Sequence, residues 1–196
     1  MSVKHGVACR WVALIVAWFL GSGVSLTAFG SEPSQCRADE TVFFSCKVMP
    51  SGKTASLCGK NKVSGGPYLQ YRFGVVGKPP ELIVPASMPA QEAPKTFFYY
   101  AGGNRYDDHS QRGVWFLNEH VYYELRQELD GSDLTSAVIV YWTPPFKAEK
   151  GPKGINCQQK NAGQNLEAAG DLIEEMGPGH IGLSPEDWMI QHEVRN

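Results

Sequence analysis

The sequence predicts a mainly β fold: an antiparallel barrel or sandwich of about eight strands, followed by two short helices. Between residues 41 and 157, short runs rich in aromatic and β-branched residues alternate with turn residues, and the connections between the runs are short. After Cys157 the apolar residues recur at helical spacing. Short strands at such regular intervals are typical of an antiparallel meander that forms a small barrel or sandwich.

The strands follow from local patterns. Residues 41–48 and 54–58 flank a Pro-Ser-Gly-Lys turn, a hairpin signal in which Gly52 takes the positive φ. Residues 67–74 alternate between two faces, with Leu69, Tyr71 and Phe73 on one face and Tyr68, Gln70 and Arg72 on the other. The remaining predicted strands are residues 81–85, 96–101, 113–117, 121–127 and 136–142.

Two helices are predicted after the β region. Asn165 is a candidate N-cap for the first, and Gly177 followed by proline ends it. Its apolar stripe consists of Leu166, Ala169, Ile173 and Met176. Ser184 as a cap and Pro185 at the first helical position begin the second helix. The two helices either cover part of the sheet or trail as a tail, and we favour docking.

The first 30 residues have the features of a cleaved export signal. Lys4 and Arg10 precede an apolar run of ten residues, 11–20, and small residues follow before residue 31. The run is too short for a membrane-spanning helix, which needs about 20 residues. We therefore expect residues 1–30 to be a signal peptide, and the mature chain to be periplasmic or secreted with no membrane span.

The mature chain is predicted to contain a disulfide-stapled β domain, residues 31–158, and a helical C-terminal segment, residues 159–196. The full chain has 18 basic and 20 acidic residues, a net charge of −2. Loss of Lys4 and Arg10 with the signal leaves 16 − 20 = −4. Because nucleic-acid binding requires a basic surface and no basic stripe is present, we expect no nucleic-acid partner.

Four cysteines remain in the mature chain: Cys36, Cys46, Cys58 and Cys157. An even number in an exported chain indicates two disulfides. The closely spaced pairs typical of zinc sites are missing from the sequence, and we expect no metal. The spacing alone leaves the pairing open, and a Cys46–Cys58 bridge across the first hairpin is one alternative.

The sequence contains neither a Gly-x-Ser-x-Gly nucleophile motif nor a His-Glu-x-x-His zinc motif. Adjacent carboxylates such as Asp107 and Asp108 point apart on an extended chain and do not converge on a substrate. We therefore expect a protein that is not an enzyme and that needs no cofactor.

Residues 99–125 form the most distinctive stretch, with paired aromatic residues on both faces of its predicted strands. One explanation is that the C-terminal helices cover the outer face. The other is an aromatic surface for a protein or glycan partner. The polar loop before residue 113 and the turn at Asn118–His120 lie at opposite ends of the predicted strand 113–117, which argues against one shared metal site.

The segments ADETVFFSCKV, GKTASLCGK, PYLQYRFG and GKPPELIVP resemble a group of small exported proteobacterial proteins with no assigned activity. The likeness covers about residues 38–157. The stretch GGNRYDDHSQRGVWFLNEHVYYEL is also similar to a segment of the periplasmic and membrane-bound inhibitors of C-type lysozyme. Those inhibitors are small antiparallel barrels that insert a loop serine and a turn lysine into the lysozyme cleft.

The resemblance to the inhibitors is carried by a few positions. Arg105 and Tyr106 match an Arg-Tyr pair, and Gly113 matches a glycine. The sequence departs from the pattern at the loop serine, which is Gly102 here, and at the turn, which has no lysine. The resemblance implies a Cys46–Cys157 bridge, which leaves Cys36 to pair with Cys58.

The predicted partner-binding residues are Gly102, Gly103, Arg105, Tyr106, Trp115, Glu119 and His120. We expect Arg105 and the aromatic residues to anchor a protein partner, because arginine and aromatic side chains dominate binding energies. The alternative is that Arg105 pairs with Asp107 or Asp108 and that Tyr106 caps the barrel.

The leading functional prediction is an exported, non-enzymatic binding protein that inhibits a lysozyme-like cell-wall hydrolase. The alternative is an envelope-structural or surface interaction protein without inhibitory activity.

Overall fold

The computed structural model describes residues 33–61, 66–86, 96–104, 109–141, 153–157 and 165–177. These residues form two antiparallel sheets and one helix. The first sheet has the order β1-β2-β3-β4, with β1 Thr41–Val48, β2 Lys53–Lys60, β3 Tyr68–Gly74 and β4 Leu82–Val84. The second has the order β5-β6-β7-β8-β9, with β5 Phe97–Asn104, β6 His109–Asn118, β7 Val121–Asp130, β8 Asp133–Tyr141 and β9 Lys153–Asn156. The helix α1 is Leu166–Met176.

The mainly β class is confirmed, but the sheets do not close into a barrel. A barrel requires an unbroken circle of paired strands. Among the described residues, β4 is not paired with β5. On the other side, a single bridge between Val48 and Cys157 joins the edge of β1 to the end of β9. The two sheets share one core, in which the ring of Tyr71 in β3 lies 4.9 Å from that of Phe116 in β6.

The hairpin β5–β6 is longer than the sequence predicts. The glycine-rich stretch before residue 113 was predicted as a loop, but Gly102–Asn104 pair with His109–Gln111 as strand. Gly103 permits this pairing because a Cβ atom there would lie 2.7 Å from the carbonyl oxygen of His109. The short strand β9 was not predicted, since its sequence Lys-Gly-Ile-Asn has no alternation.

The alternation predicted for β3 is confirmed, and both of its faces are buried. Leu69 and Tyr71 point into the core. Residues 33–40, which we call the strap, lie on the other face of the first sheet. Ser45 donates a hydrogen bond to the carbonyl of Pro33, and Ser56 accepts one from the backbone of Gln35.

The helix α1 packs against β1 and β3 of the first sheet and β5 and β6 of the second. Its buried residues are Leu166, Ala169, Gly170, Leu172 and Ile173. The predicted N-cap Asn165 makes no capping hydrogen bond, because its side-chain nitrogen donates to the carbonyl of Val42 instead. The described residues contain one helix where two were predicted, and the second predicted helix, from Ser184, lies outside them. Gly170 lies against the ring of Tyr99, on the core side of β5, so α1 does not cover the outer face of the second sheet.

Two disulfides are present, Cys36–Cys58 and Cys46–Cys157. They are the pairs that the resemblance implies. The first fixes the strap to β2, and the second joins β1 of one sheet to the residue after β9 of the other. The alternative Cys46–Cys58 bridge does not form because Cys46 stands opposite Ala55 and belongs to the core, whereas the Cys58 side chain is directed to the strap.

Candidate functional site

The structure separates the predicted partner-binding residues into two places. Gly102 and Gly103 are exposed near the end of β5. Glu119 and His120 are exposed in the turn between β6 and β7, and Glu119 has a φ of 56°. β6 has ten residues, so these two places are roughly 30 Å apart at the usual rise of a strand. They cannot contribute to one small site.

The end of the hairpin β5–β6 is an open backbone surface. Gly102 stands opposite Gln111 and Gly103 opposite Ser110. A Cβ atom on Gly102 would have no heavy atom within 4 Å. A partner can therefore approach the backbone of Gly102 closely, as the missing side chain allows. Arg105 and Tyr106 lie outside the described residues, in the four-residue segment that joins the two strands.

Two polar side-chain pairs flank this end of the sheet. Arg112 in β6 donates a hydrogen bond of 2.8 Å to Glu167, which fixes the sheet to α1. His109, at the beginning of β6, has its Nε2 atom 3.6 Å from a carboxylate oxygen of Glu128 in the neighbouring strand β7. These pairs are partly exposed, so each contributes little to stability. These polar side chains lie beside Gly102 and Gly103.

Trp115 differs from the other predicted contact residues because it is buried, with 1% of its surface exposed. Its ring is stacked on that of Phe98, with centroids 4.1 Å apart. In this structure it offers almost no surface to a partner. The aromatic pairs of residues 99–125 therefore include positions buried on both faces of the sheet.

The same sheet contains a buried carboxylate that the sequence does not predict, which we call the Glu124 centre. Glu124 is fully buried and accepts hydrogen bonds from the hydroxyls of Tyr100 and Tyr141. Arg126 adds two more, from Nε at 2.7 Å and from Nη2 at 2.9 Å. The ring of Tyr100 reaches this position by lying over Gly113, where a Cβ atom would be 2.5 Å from it.

The Glu124 centre has the hydrogen bonding expected of a carboxylate that stabilises the fold. Four donors converge on the two carboxylate oxygens, which balances the cost of burying the charge. Burial, together with the negative charge of Glu124, raises the pKa of Tyr100, so this hydroxyl stays protonated and remains a donor. A carboxylate whose acceptor positions are filled in this way is poorly placed to act as a general base.

A second buried carboxylate, the Glu40 centre, fixes the strap. Arg72 donates from Nη1 and Nη2 to the two oxygens of Glu40, at 2.6 and 2.7 Å. Tyr68 and the backbone N–H of Arg37 donate to the same carboxylate. Arg72 also donates from Nη1 to the carbonyl of Gln35 and from Nε to the side-chain oxygen of Gln70. The polar face that the sequence predicts on β3 thus holds the strap.

These contacts shift two pKa values. Burial alone would raise the pKa of Glu40, but the hydrogen bonds from Arg72, Arg37 and Tyr68 outweigh it and lower the pKa below 4.5. Burial and the hydrogen bond to Glu40 raise the pKa of Tyr68 to about 12.

Because its pKa is lower in the folded chain, ionised Glu40 stabilises the fold above pH 4.5, and this contribution is lost as the pH falls through the folded-state pKa. We expect the free energy of unfolding to fall more steeply between about pH 5 and pH 3 in the wild type than in Glu40→Gln. Urea unfolding at a series of pH values measures the two slopes. Asp39→Asn is the control, since Asp39 is exposed. Equal slopes for wild type and Glu40→Gln would contradict this role.

Cys36, Cys58 and Glu40 bring their sulfur and oxygen atoms within 4.8 Å of one another. Both sulfurs are committed to the disulfide, so neither is a thiolate ligand for a metal. Among the residues that the structure describes, no other group of three or more histidine, cysteine or acidic side chains is as close.

In the described part of the chain, no helix combines the length and the apolar character needed to cross a membrane. The two disulfides are compatible with an oxidising compartment such as the periplasm or the extracellular space. A comparison of the chain with protein families, with curated proteins and with solved structures found no match.

Proposed function

We propose that the chain is an exported, non-enzymatic binding protein and that it inhibits a lysozyme-like cell-wall hydrolase. The recognition surface is the end of the hairpin β5–β6 around Gly102 and Gly103. Arg105 and Tyr106 join it on the basis of the sequence, because arginine and tyrosine are frequent anchors in protein interfaces. A carboxylate-bearing hydrolase cleft is complementary to such a cation.

One observation supports this proposal above the others. Gly102 presents open backbone on a hairpin whose two strands pair from Phe97 to Asn104. Gly103 and Ser110 approach closely next to it, and Arg112 is hydrogen-bonded to Glu167 of the helix. A preorganised surface loses little entropy when it binds, which favours affinity.

Trp115, Glu119 and His120 are left out of this surface. Trp115 is buried, and the turn with Glu119 and His120 is at the opposite end of β6. The proposed contact set is therefore smaller than the one that the sequence predicts.

The test compares two glycines that both have open space and lie on exposed strand positions. A Cβ atom on Gly102 or on Gly154 in β9 would meet nothing within 4 Å, so a larger side chain is accommodated at either position. We expect Gly102→Gln to weaken inhibition by at least about tenfold, because the side chain blocks the approach of the backbone. Gly154→Gln should inhibit like the wild type.

The assay measures the activity of several types of lysozyme and related hydrolases in the presence of each variant. Equal inhibition by Gly102→Gln and wild type would place the contact surface elsewhere. Absence of inhibition by the wild-type chain across the whole panel would favour the alternative, an envelope-structural or surface interaction protein.

A further inference from the structure

Three of the four large apolar side chains with exposed surfaces among the described residues lie on two neighbouring turns of the first sheet. Met49, Val75 and Val76 are 52%, 37% and 41% exposed. The fourth, Leu117, is 43% exposed and belongs to the second sheet. Exposed apolar groups concentrated in one place mark an interaction surface more often than isolated ones do.

The two turns, residues 49–53 and 75–81, lie side by side and we call them the paired turns. The end of β3 pairs with the beginning of β2, since Gly74 stands opposite Thr54. An ion pair between Lys53 and Glu81 connects the two turns directly. Lys53 also lies over the ring of Phe73, 5.6 Å from its centroid. The apolar tips are therefore held next to each other.

The charge around the paired turns is opposite in sign to that of the chain. Lys53 and Lys78 stand beside the apolar tips, and Glu81 is the acidic residue of this segment. Glu81 is already neutralised by Lys53. The segment therefore has a net positive charge, whereas the whole chain has a net charge of −2. Apolar tips with lysines around them are complementary to an anionic lipid surface.

We propose that the paired turns dock on a lipid bilayer with anionic headgroups. Met49, Val75 and Val76 enter the interfacial region, and Lys78 contacts the headgroups. The residue before α1 lies at the other end of β1, where Asn165 donates a hydrogen bond to the carbonyl of Val42. This proposal depends on export of the chain but not on inhibition of a hydrolase, and the two can fail separately.

The test uses the chain isolated from the cell after export, with its N-terminus determined. Cosedimentation is measured with vesicles of phosphatidylcholine alone and with vesicles that also contain phosphatidylglycerol. We expect the wild type to bind the phosphatidylglycerol vesicles more strongly. The triple variant Met49→Ser, Val75→Ser, Val76→Ser should lower the partition coefficient by more than about tenfold, and Lys78→Gln by about fivefold.

Leu117→Ser is the matched control, since it removes an equally exposed apolar side chain from the other sheet. Circular dichroism and disulfide mapping check that each variant is folded. Failure of the wild type to bind phosphatidylglycerol vesicles would overturn the proposal, and so would equal binding by the triple variant. A dimer in the absence of lipid that dissociates in the triple variant would show instead that the paired turns are a self-association surface.

Discussion

Replacement of Glu124 by alanine is expected to destabilise the fold by about 3–5 kcal/mol, because it leaves the charge of Arg126 and the hydroxyls of Tyr100 and Tyr141 without their common acceptor. Urea unfolding followed by tryptophan fluorescence measures the loss, since Trp115 is buried on the same sheet.

The matched control is the exposed pair of Lys53 and Glu81. We expect Glu81→Ala to cost less than about 1 kcal/mol, because the exposed ion pair is screened by solvent. A double variant, Glu124→Leu with Arg126→Met, should recover part of the stability lost in Glu124→Ala, since it removes both charges together. Equal losses for Glu124→Ala and Glu81→Ala would contradict the structural role of the Glu124 centre.

Removal of the Cys46–Cys157 disulfide should lower the free energy of unfolding by about as much as Glu124→Ala does. The bridge closes a segment with a sequence separation of 111 residues, for which restriction of the unfolded chain contributes about 4–5 kcal/mol. It also joins the two sheets at the place where, among the described residues, a single backbone bridge connects them. We expect the double variant Cys46→Ala, Cys157→Ala to unfold at much lower denaturant concentration than the wild type.

The second disulfide provides the comparison. Cys36–Cys58 has a sequence separation of 22 residues, which corresponds to a contribution of about 3 kcal/mol. Its removal should loosen the strap, which Arg72 still holds through Glu40, while the two sheets stay connected through Cys157. A larger loss of stability for Cys36→Ala, Cys58→Ala than for the other pair would contradict this ranking.

The mainly β class and most strand positions could be predicted from the sequence because alternation and turn residues are local signals. The end of β5 could not be predicted in the same way. Its Gly102 and Gly103 are typical of loops, yet they pair with β6 because Gly103 allows a close approach of the two backbones. Tertiary pairing overrides local propensity at such positions.

The burial of Glu40 and Glu124 also could not be predicted from local sequence patterns. Alternation correctly separates Arg72 from the core face of β3, and such a residue normally lies in solvent. Here the strap covers it, and Glu40 neutralises it. Glu124 likewise occupies an outward position on β7, where only the tertiary structure brings Tyr100 and Tyr141 together around it.

Local sequence patterns indicate which loops and turns carry exposed residues at the candidate site, but not how those residues are arranged in space. Gly102 and Gly103 are exposed, as a recognition surface requires. Glu119 and His120 are also exposed, but the full length of β6 separates them from the glycines. Trp115 is an aromatic residue on a strand, and its burial depends on contacts that no local pattern reveals.

The most direct measurement of the proposed recognition surface is amide hydrogen exchange, recorded for the chain alone and with a hydrolase that it inhibits. We predict slower exchange in the complex at Gly102, Gly103 and Ser110, and unchanged exchange at Gly154 and at the paired turns. Slower exchange confined to the paired turns or to β9, with the hairpin β5–β6 unchanged, would contradict the proposal that this hairpin binds the partner.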